Sequence, residues 1–375
     1  MPTVLISRPQ SASTTEGTEA HKGRSEFLAN ANRGRFRRAL LTWYDRNRRD
    51  LPWRRTRDPY AIWLSEIMLQ QTRVAAVLEH YRIFLERFPN IAALAAASED
   101  AVLAAWSGLG YYRRARMLHR CAREIVVAYG ERFPETGAAL RELPGVGRYT
   151  AAAIASIAFG EAIAVVDGNV ERVLQRMAGR ELTVSQSWGR AQELLSKSRP
   201  GDFNQAMMEL GATVCLPREP RCAICPVRSL CATGTRELRA KGSGLGALRV
   251  RAAPRQTKRE IWCTLERRDG RVRLVQRPKG ASLMAGMWEL PQWAEVPHES
   301  ATSAVWRTFR HSITVTDYTV HVLRDREMTK SETKIAASDR GGAPAGRGKW
   351  VAVEAIPRLP ITGLTRKILK AGGII

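Results

Sequence analysis

The chain has no long apolar run, either in its interior or at its start. Hydrophobic residues make up 44% of the 375 residues, yet no stretch approaches the roughly 18 apolar residues of a membrane span. The first 24 residues lack the apolar core of a signal peptide, and we interpret residues 1–32 as a disordered polar tail. These absences exclude a membrane-spanning protein, and we expect a cytoplasmic protein without a membrane partner.

Acidic residues are scarce relative to basic ones. The chain has 36 Asp and Glu against 60 Lys and Arg, which gives a net charge of +24. Ten of the arginines lie between Arg33 and Arg57, interleaved with aromatic residues. Such an excess favours a polyanionic partner such as nucleic acid, because cationic side chains displace condensed counterions. Charge alone leaves open a merely soluble basic protein and an acidic membrane surface as partner.

The six cysteines are not distributed as a secreted disulfide framework would require. Cys121 and Cys263 stand alone, whereas the other four share one segment: Cys215, Cys222, Cys225 and Cys231. Four thiolates in short loops can ligate a [4Fe–4S] cluster or a structural zinc ion. Because the segment has only one tight Cys-x2-Cys pair, the spacing favours the cluster over zinc and leaves zinc open.

The first loop of this cysteine segment contains two arginines, Arg218 and Arg221. Metal binding would fix the shape of the loop and could carry both side chains to a phosphate. The alternative is that they only solvate the loop. The residues themselves leave both interpretations open.

Hydrophobic periodicity divides the chain into two domains, as its length also suggests. Apolar residues recur every three or four positions between Arg35 and Leu210, which predicts an all-α domain over residues 33–235. A basic, aperiodic segment predicts a linker at 236–258. Alternating apolar residues then predict strands of an α+β domain at 259–375, with a mobile loop at 331–348; the strand segments are IWCTLERR, RVRLVQR, SITVTDYTVHVL and KWVAVEAI.

The segment LPGVGRYT contains two glycines at the start of a predicted helix. Gly145 and Gly147 allow a tight turn that leaves backbone N–H groups free to bind a phosphate. Taken alone, a Gly-x-Gly turn between helices is a weak signal. Asp167 follows in the segment DGN, where an acidic residue often serves only as a helix N-cap.

Glu66 supplies a second carboxyl group in the helical segment DPYAIWLSEIMLQQT. Its helical neighbours are mainly apolar; they are Ile62, Trp63, Leu69 and the polar Gln70. A carboxyl group among such side chains is desolvated, which favours the neutral, proton-donating form. Paired with an ionised Asp167, it would form the combination that glycosidic and N-glycosidic hydrolysis use.

The order of motifs resembles one known superfamily. The segments SEIMLQQT, GLGYYRRAR, LPGVGRYT, VDGN and FNQAMMELG, followed by the four cysteines, resemble the helix-hairpin-helix DNA glycosylases that carry a C-terminal iron–sulfur loop. The resemblance covers about Arg35 to Cys231. Within the superfamily the chain is most similar to the MutY family of A/G-specific adenine DNA glycosylases, whose second domain is a degenerate Nudix-like fold that reads 8-oxoguanine.

The resemblance implies a base-excision enzyme that removes adenine from double-stranded DNA containing A:8-oxoguanine or A:G mispairs. It implies base flipping, a [4Fe–4S] cluster on the four cysteines and a nucleoid-associated monomer if the source is bacterial. Glu66 would protonate adenine N7, and Asp167 would stabilise the cationic sugar. Supporting and DNA-contacting roles are implied for Tyr149 and Asn169 beside the carboxylates, Arg54 and Gln205 at the adenine, Gln70, Gln71 and Tyr111 near the lesion, and Gly145, Gly147, Arg218 and Arg221 on the backbone.

Several positions depart from related patterns. Tyr149 stands where endonuclease III has a Schiff-base lysine, which implies a monofunctional hydrolase; a bifunctional glycosylase/lyase is the disfavoured alternative. Glu171 stands where some relatives have lysine. The Phe-Ser-His recognition loop of the family reads Phe309-Arg310-His311 here, so the serine hydroxyl is lost. The Nudix box is absent from 259–375, which argues against pyrophosphohydrolysis.

A non-catalytic DNA-binding protein with a zinc module would explain the charge and cysteines, but not the two carboxylates.

Overall fold

The chain folds into a helical part followed by a part built on two small sheets. The structure is a computed structural model that describes residues 28, 30–239, 256–294, 305–324 and 348–375. The all-α character predicted for the first part and the α+β character predicted for the second are both confirmed. Within the described residues no helix is long and apolar enough to cross a membrane.

The helices of the first part are short and are joined by turns. In chain order they are α1 (Asn30–Asn47), α2 (Pro59–Leu69), α3 (Val74–Arg87), α4 (Ile91–Ala96), α5 (Glu99–Trp106), α6 (Tyr112–Tyr129), α7 (Gly137–Leu140), α8 (Arg148–Ala158), α9 (Gly168–Ala178), α10 (Val184–Leu194), α11 (Pro200–Thr213) and α12 (Ala232–Arg239). Short 3-10 turns occur at Pro52–Arg54, Cys222–Ile224 and Arg228–Leu230.

Helix α2 lies at the centre of the helical part. It begins after Asp58, whose side chain accepts a hydrogen bond from the backbone N–H of Tyr60 at 3.0 Å, and Pro59 occupies the first helical position. Every residue from Tyr60 to Met68 is buried. A helix that is apolar on all sides is expected only in a protein interior. Burial of the whole helix therefore places Glu66 inside the fold rather than on its surface.

The second part contains two sheets. Its elements are β1 (Thr257–Leu265), β2 (Arg267–Arg268), β3 (Arg271–Gln276), β4 (Trp288–Glu289), β5 (Gln292–Trp293), β6 (Val305–Ile313), β7 (Thr316–Arg324), β8 (Lys349–Ala352), a 3-10 segment (Val353–Arg358) and α13 (Gly363–Ala371). One sheet has the order β5-β1-β7-β6 with β1 parallel to β7, and the other joins β2, β3 and β4, with β8 also paired to β3.

Two predicted strands have different limits in the structure. The segment SITVTDYTVHVL is not one strand, because the chain turns between β6 and β7 at Thr314, which has a φ of 52°. The segment KWVAVEAI is a strand only over Lys349–Ala352 and continues as a 3-10 segment that contains Pro357. The strand ends where its pairing with β3 ends, at Ala352 opposite Arg271.

The predicted domain limits can be placed beside these elements. Helix α12 ends at Arg239 and β1 begins at Thr257, so both overlap the linker predicted at 236–258. Helix α1 begins at Asn30, within the tail predicted at 1–32. The loop predicted at 331–348 lies, except for Gly348, outside the described residues.

The two parts contact each other through side chains on both sides. Met287 of the second part is fully buried, and it belongs to the apolar core formed mainly by α2 to α6. Arg116 on α6 donates a hydrogen bond to the carbonyl oxygen of Ala285 at 2.5 Å. The helical core is therefore completed by a residue of the second part.

Candidate active site

A cavity of about 580 Å³ opens between α2, α8, α11 and the start of α9. Residues predicted from the sequence line much of it, namely Arg54, Glu66, Gln70, Gln71, Tyr149, Asp167, Asn169 and Gln205. Leu51, Trp53, Ile62, Leu69 and Met208 contribute apolar wall. The cavity therefore combines apolar walls with a few convergent polar groups, as small-molecule sites in proteins usually do.

Glu66 is a buried carboxyl group with one direct hydrogen-bond donor. The hydroxyl of Tyr149 donates to its Oε2 at 2.8 Å, and only 6% of the residue is exposed. Burial raises the pKa of Glu66 to about 7, with a further contribution from nearby Asp167, although the Tyr149 hydrogen bond and Arg54 oppose the rise. Near neutral pH this carboxyl group can both hold and release a proton.

Asp167 has a structural role as well as a place in the cavity. It is the N-cap of α9, and its Oδ1 accepts hydrogen bonds from the backbone N–H groups of Asn169 and Val170 at 3.0 and 2.8 Å. The amide of Asn169 donates to Oδ2 at 2.9 Å. These three donors fix the carboxylate at the helix N-terminus, where the helix dipole favours negative charge. The capping and cavity-lining interpretations are thus compatible.

Asn169 is held in turn by contacts that lead to the cysteine segment. Arg172 donates to the side-chain oxygen of Asn169 at 2.9 Å and to the carbonyl oxygen of Cys215 at 2.9 Å. On the facing helix a Cβ added to Gly211 would come within 2.6 Å of the Asn169 Cβ. One guanidinium group therefore connects the N-terminal end of α9 to Cys215, and close packing against Gly211 supports the same asparagine.

Glu209 is a cavity residue that the sequence analysis missed. Its side chain is fully buried and accepts hydrogen bonds from Arg49 Nε and Arg54 Nη2, both at 2.7 Å. Although burial raises the pKa of Glu209, these hydrogen bonds lower it overall to about 2. Arg54 is therefore held by a carboxylate rather than free. Glu209 lies one helical turn after Gln205 on α11, a spacing that could have indicated it.

Gln71 and Tyr111 adopt the left-handed backbone conformation, with φ values of 57° and 49°. Both residues line a second, smaller cavity of about 340 Å³ together with Gln70 and Gly145. Non-glycine residues in this conformation are uncommon and concentrate at functional sites. Tyr111 is also 48% exposed, so its ring is accessible from solvent.

Arg114 lies between the end of α2, which precedes Gln71, and the Tyr111 ring. Its Nη1 donates to the carbonyl oxygens of Ile67, Met68 and Gln70 at the end of α2. The same guanidinium lies 4.9 Å from the centre of the Tyr111 ring. Arg114 therefore caps the helix that carries Glu66 and supports the exposed tyrosine.

The hairpin glycines precede α8. Gly145 has a φ of +77°, and Gly147 is the N-cap of α8, without a side-chain cap. Backbone N–H groups at this helix start are thus available to an anion. The turn lies beside the second cavity, and the phosphate contact stays a prediction.

Within the described residues none of the four cysteines of the 215–231 segment forms a disulfide, and all four are half-buried. Arg176 Nη1 donates to Cys215 Sγ at 3.2 Å, and the backbone N–H of Gly234 donates to Cys231 Sγ at 3.4 Å. In the described part of the chain, no three Cys, His, Asp or Glu side chains come together closely enough to hold a metal ion. The donor set suits a cluster, whose thiolates commonly accept N–H hydrogen bonds. Arg218 and Arg221 of the same segment are exposed.

The predicted recognition residues of the second part lie in β6 rather than in a loop. Phe309 is buried, Arg310 is exposed and His311 is half-buried, following the alternation of a strand paired with β7. Lys367 on α13 donates to the carbonyl oxygen of Arg310 at 2.9 Å. Burial and the positive charge of Lys367 lower the pKa of His311.

Comparison with known proteins places two families on the chain. Residues 64–195 match the HhH-GPD superfamily of base excision DNA repair proteins, and residues 261–371 match the NUDIX domain. The first range contains both Glu66 and Asp167. The second contains all the strands from β1 to β8, except the first four residues of β1. The first matched range lies in the helical part and the second in the part that contains the sheets.

Two curated relatives and one solved structure illustrate the similarity. The human adenine DNA glycosylase is 44% identical over 319 residues, which cover 70% of this chain and 58% of that protein. The adenine DNA glycosylase of Arabidopsis thaliana is 37% identical over 348 residues, covering 82% and 54%. The structure of a thermostable thymine-DNA glycosylase has a TM-score of 0.52 and 34% identity, covering 55% of this chain and 98% of that one. The chain thus spans just over half the length of these two curated relatives.

Proposed function

We propose that this chain, as a member of the HhH-GPD superfamily of base excision DNA repair proteins, hydrolyses the N-glycosidic bond of adenine in DNA. The proposal also starts from its homology to adenine DNA glycosylases. The single observation that carries this proposal is the buried Glu66 with a pKa of about 7, sharing a cavity with Asp167. An acid and an ionised carboxylate in one cavity are what an oxocarbenium-like transition state requires.

Glu66 supplies the proton in the proposed reaction. The adenine anion is a poor leaving group, and a proton on N7 allows the C1′–N9 bond to break with its electron pair on the base, which then leaves as neutral adenine. Tyr149 holds the Glu66 carboxyl group by its hydrogen bond. Asp167, fixed at the start of α9 by three N–H donors, stabilises the positive charge on the sugar. Water then adds to C1′, and its proton returns to a carboxylate.

The adenine reaches this cavity only if it leaves the duplex. A base inside the stack is inaccessible to Glu66, so the proposal includes flipping of the nucleotide. Arg54 and Gln205 lie in the cavity wall, where they can contact the flipped base. Gln71 and Tyr111, at the neighbouring cavity, fill the space that the base leaves, which offsets the lost stacking.

The proposed enzyme is monofunctional. A β-lyase needs an amine to attack C1′, and none of the residues that line the cavity is a lysine. Tyr149, which stands at the hairpin position, donates its hydrogen bond to Glu66 instead. Borohydride should therefore trap little covalent complex with DNA, and strands should be nicked only after heat or base. Efficient trapping by the unmodified protein would contradict this part of the proposal.

The cofactor of the proposed enzyme is a [4Fe–4S] cluster held by Cys215, Cys222, Cys225 and Cys231. When bound, the cluster fixes the shape of the segment that contains Arg218 and Arg221. Purified protein should be yellow-brown with broad absorption near roughly 400 nm. A colourless protein that contains one zinc ion would show that the four cysteines bind zinc, and it would overturn the cluster assignment.

The substrate is a mispair in which adenine faces 8-oxoguanine or guanine. The second domain, with Phe309, Arg310 and His311 on β6, reads the base opposite adenine. The decisive experiment measures single-turnover excision from duplexes with adenine opposite each of the four bases and opposite 8-oxoguanine. Release of adenine opposite guanine and 8-oxoguanine, but not opposite thymine, supports the proposal. No release of adenine from any duplex overturns it.

A further inference from the structure

The turn that presents Tyr111 is made by residues 107–110, between α5 and α6. Side chains of the helical domain hold the backbone of this turn in place. The indole N–H of Trp106 donates to the carbonyl oxygen of Gly110 at 3.1 Å, and His80 Nε2 lies 3.2 Å from the carbonyl oxygen of Ser107. Tyr111 follows directly with its ring 48% exposed.

The second domain holds the same turn at Ser107. The Ser107 hydroxyl is buried and donates to the carbonyl oxygen of Ile361 at 2.7 Å. It accepts a hydrogen bond from Nε of Arg366, on α13, at 2.9 Å. One hydroxyl thus satisfies both its donor and its acceptor capacity with groups of the other domain. A buried charge-assisted hydrogen bond of this kind is strong relative to a neutral one.

Gly108 makes the contact close. Its φ is +109°, and an added Cβ would lie 2.9 Å from His80 Nε2 and 3.5 Å from Arg366 Cδ. The Arg366 side chain therefore packs against the backbone of the turn as well as donating to Ser107. Burial lowers the pKa of Arg366, because its charge is desolvated at this contact.

We infer that Arg366 of the second domain is a positioning residue for Tyr111: through Ser107 it sets the turn that aims the tyrosine at the duplex. This inference rests on the proposed function for its role in DNA, and the contact itself rests on the geometry alone. The domain that carries the β6 recognition residues is thereby joined to the residue proposed to enter the duplex. Docking of the second domain and insertion of Tyr111 are then energetically coupled.

The test is a double-mutant cycle on the full chain. Arg366→Met removes the donor and keeps most of the apolar stem, and it is combined with Tyr111→Ala. Affinity for a duplex containing an A:G mispair and the single-turnover excision rate are both measured. Arg358→Met is the matched control, because Arg358 is exposed on the same domain. Thermal unfolding of each variant reports whether the domain remains folded.

Arg366→Met alone should weaken mispair binding about tenfold, the size expected for one hydrogen bond to a charged group. In the Tyr111→Ala background the same change should have almost no further effect, because its consequence acts through Tyr111. Arg358→Met should leave affinity at the parental value. Rescue of half or more of the loss by Arg366→Lys would also support a positioning role.

Additive effects of Arg366→Met and Tyr111→Ala would overturn the inference, since they would show two independent contributions. Unchanged affinity in folded Arg366→Met would overturn it equally. Ser107→Ala gives a second measurement if Arg366→Met unfolds, and it should show the same dependence on Tyr111. Failure of adenine excision with intact coupling in affinity would count against the proposed reaction and not against this inference.

Discussion

The phenol oxygen of Tyr149 lies 2.8 Å from Oε2 of Glu66, so the residue at the hairpin position is hydrogen-bonded to the buried carboxyl group. The hydrogen bond lowers the pKa of Glu66, and burial raises it by more. The resulting pKa of about 7 determines in which pH range the proposed proton donor is charged.

Glu66→Gln should reduce adenine excision by about two to four orders of magnitude, because an amide has no acidic proton to donate. Affinity for the mispaired duplex should stay within a few-fold, since Glu66 is buried away from solvent. In the parent protein the rate should fall as pH rises through about 7, because the donor loses its proton. Single-turnover rates over a pH series check both statements, and a near-normal rate for the glutamine variant would remove Glu66 from the mechanism.

Tyr149→Phe should move the alkaline limb of this pH profile to higher pH. The lost hydrogen bond favoured the ionised carboxylate, so without it Glu66 keeps its proton to a higher pH. The measurement is the pH at which the single-turnover rate falls to half of its plateau. Tyr129→Phe is a control, because Tyr129 is an exposed tyrosine at the end of α6. A shift to lower pH would show that the hydroxyl is not the donor in solution.

Glu66→Gln should also change the pH dependence of stability. The folded-state pKa of Glu66 is raised from 4.5 to about 7, so ionisation favours the unfolded chain. This penalty is absent below the unfolded pKa, grows as pH rises, and reaches about 3 kcal/mol above the folded pKa. Relative to the parent, the glutamine variant should therefore gain stability between pH 5 and 8. Denaturant unfolding of both proteins at pH 5 and at pH 8 tests this. If the free energy of unfolding differed between variant and parent by the same amount at both pH values, the prediction would be contradicted.

Arg172→Lys should slow excision more than it weakens binding. Lysine cannot span both Asn169 Oδ1 and the Cys215 carbonyl oxygen as the guanidinium does. Asn169 would then lose an orienting contact, and with it the amide that donates to Asp167. Single-turnover rates at saturating enzyme separate this from affinity. Arg132→Lys, at an exposed arginine beyond α6, is the control and should match the parent.

Arg221→Ala should weaken DNA binding to all sequences alike and reduce the slope of log affinity against log salt by about one unit. The reason is that an exposed arginine in the cysteine segment would release about one counterion on binding. Single-turnover rates at saturating enzyme should stay unchanged. If affinity and slope both equal those of the parent, the segment stabilises the fold and does not contact DNA.

The sequence predicted the helical and sheet domains because periodicity records which face of an element is buried. It also indicated a buried Glu66, since the apolar neighbours of this residue are local in sequence. It could not indicate the ion pairs of Glu209, because Arg49 and Arg54 lie more than 150 positions away. The backbone conformations of Gln71 and Tyr111 were also hidden, since neither residue type favours a positive φ.

The limits of β6 and β7 could not be predicted from the sequence for a different reason. Alternation continues through the segment from Ser312 to Leu323, so nothing in the pattern marks the end of one strand. The turn falls at Thr314 and Val315 because β6 and β7 pair with each other on either side of it, over Val305 to Leu323. Register between strands is a tertiary property. The Ser107 contact with Ile361 is another, because it joins residues 254 positions apart.

The closest backbone approach in the site concerns Gly211, which leaves no room for a methyl group beside Asn169. Alanine is a better helix former than glycine, and in an exposed helix this replacement usually stabilises. Here the same methyl group would push α9 away from α11 and carry the start of α9, with its carboxylate, out of line. A change that is favourable for the isolated helix would therefore disturb the candidate site. The lower helix propensity of glycine at this position allows α9 and α11 to pack closely where both line the cavity.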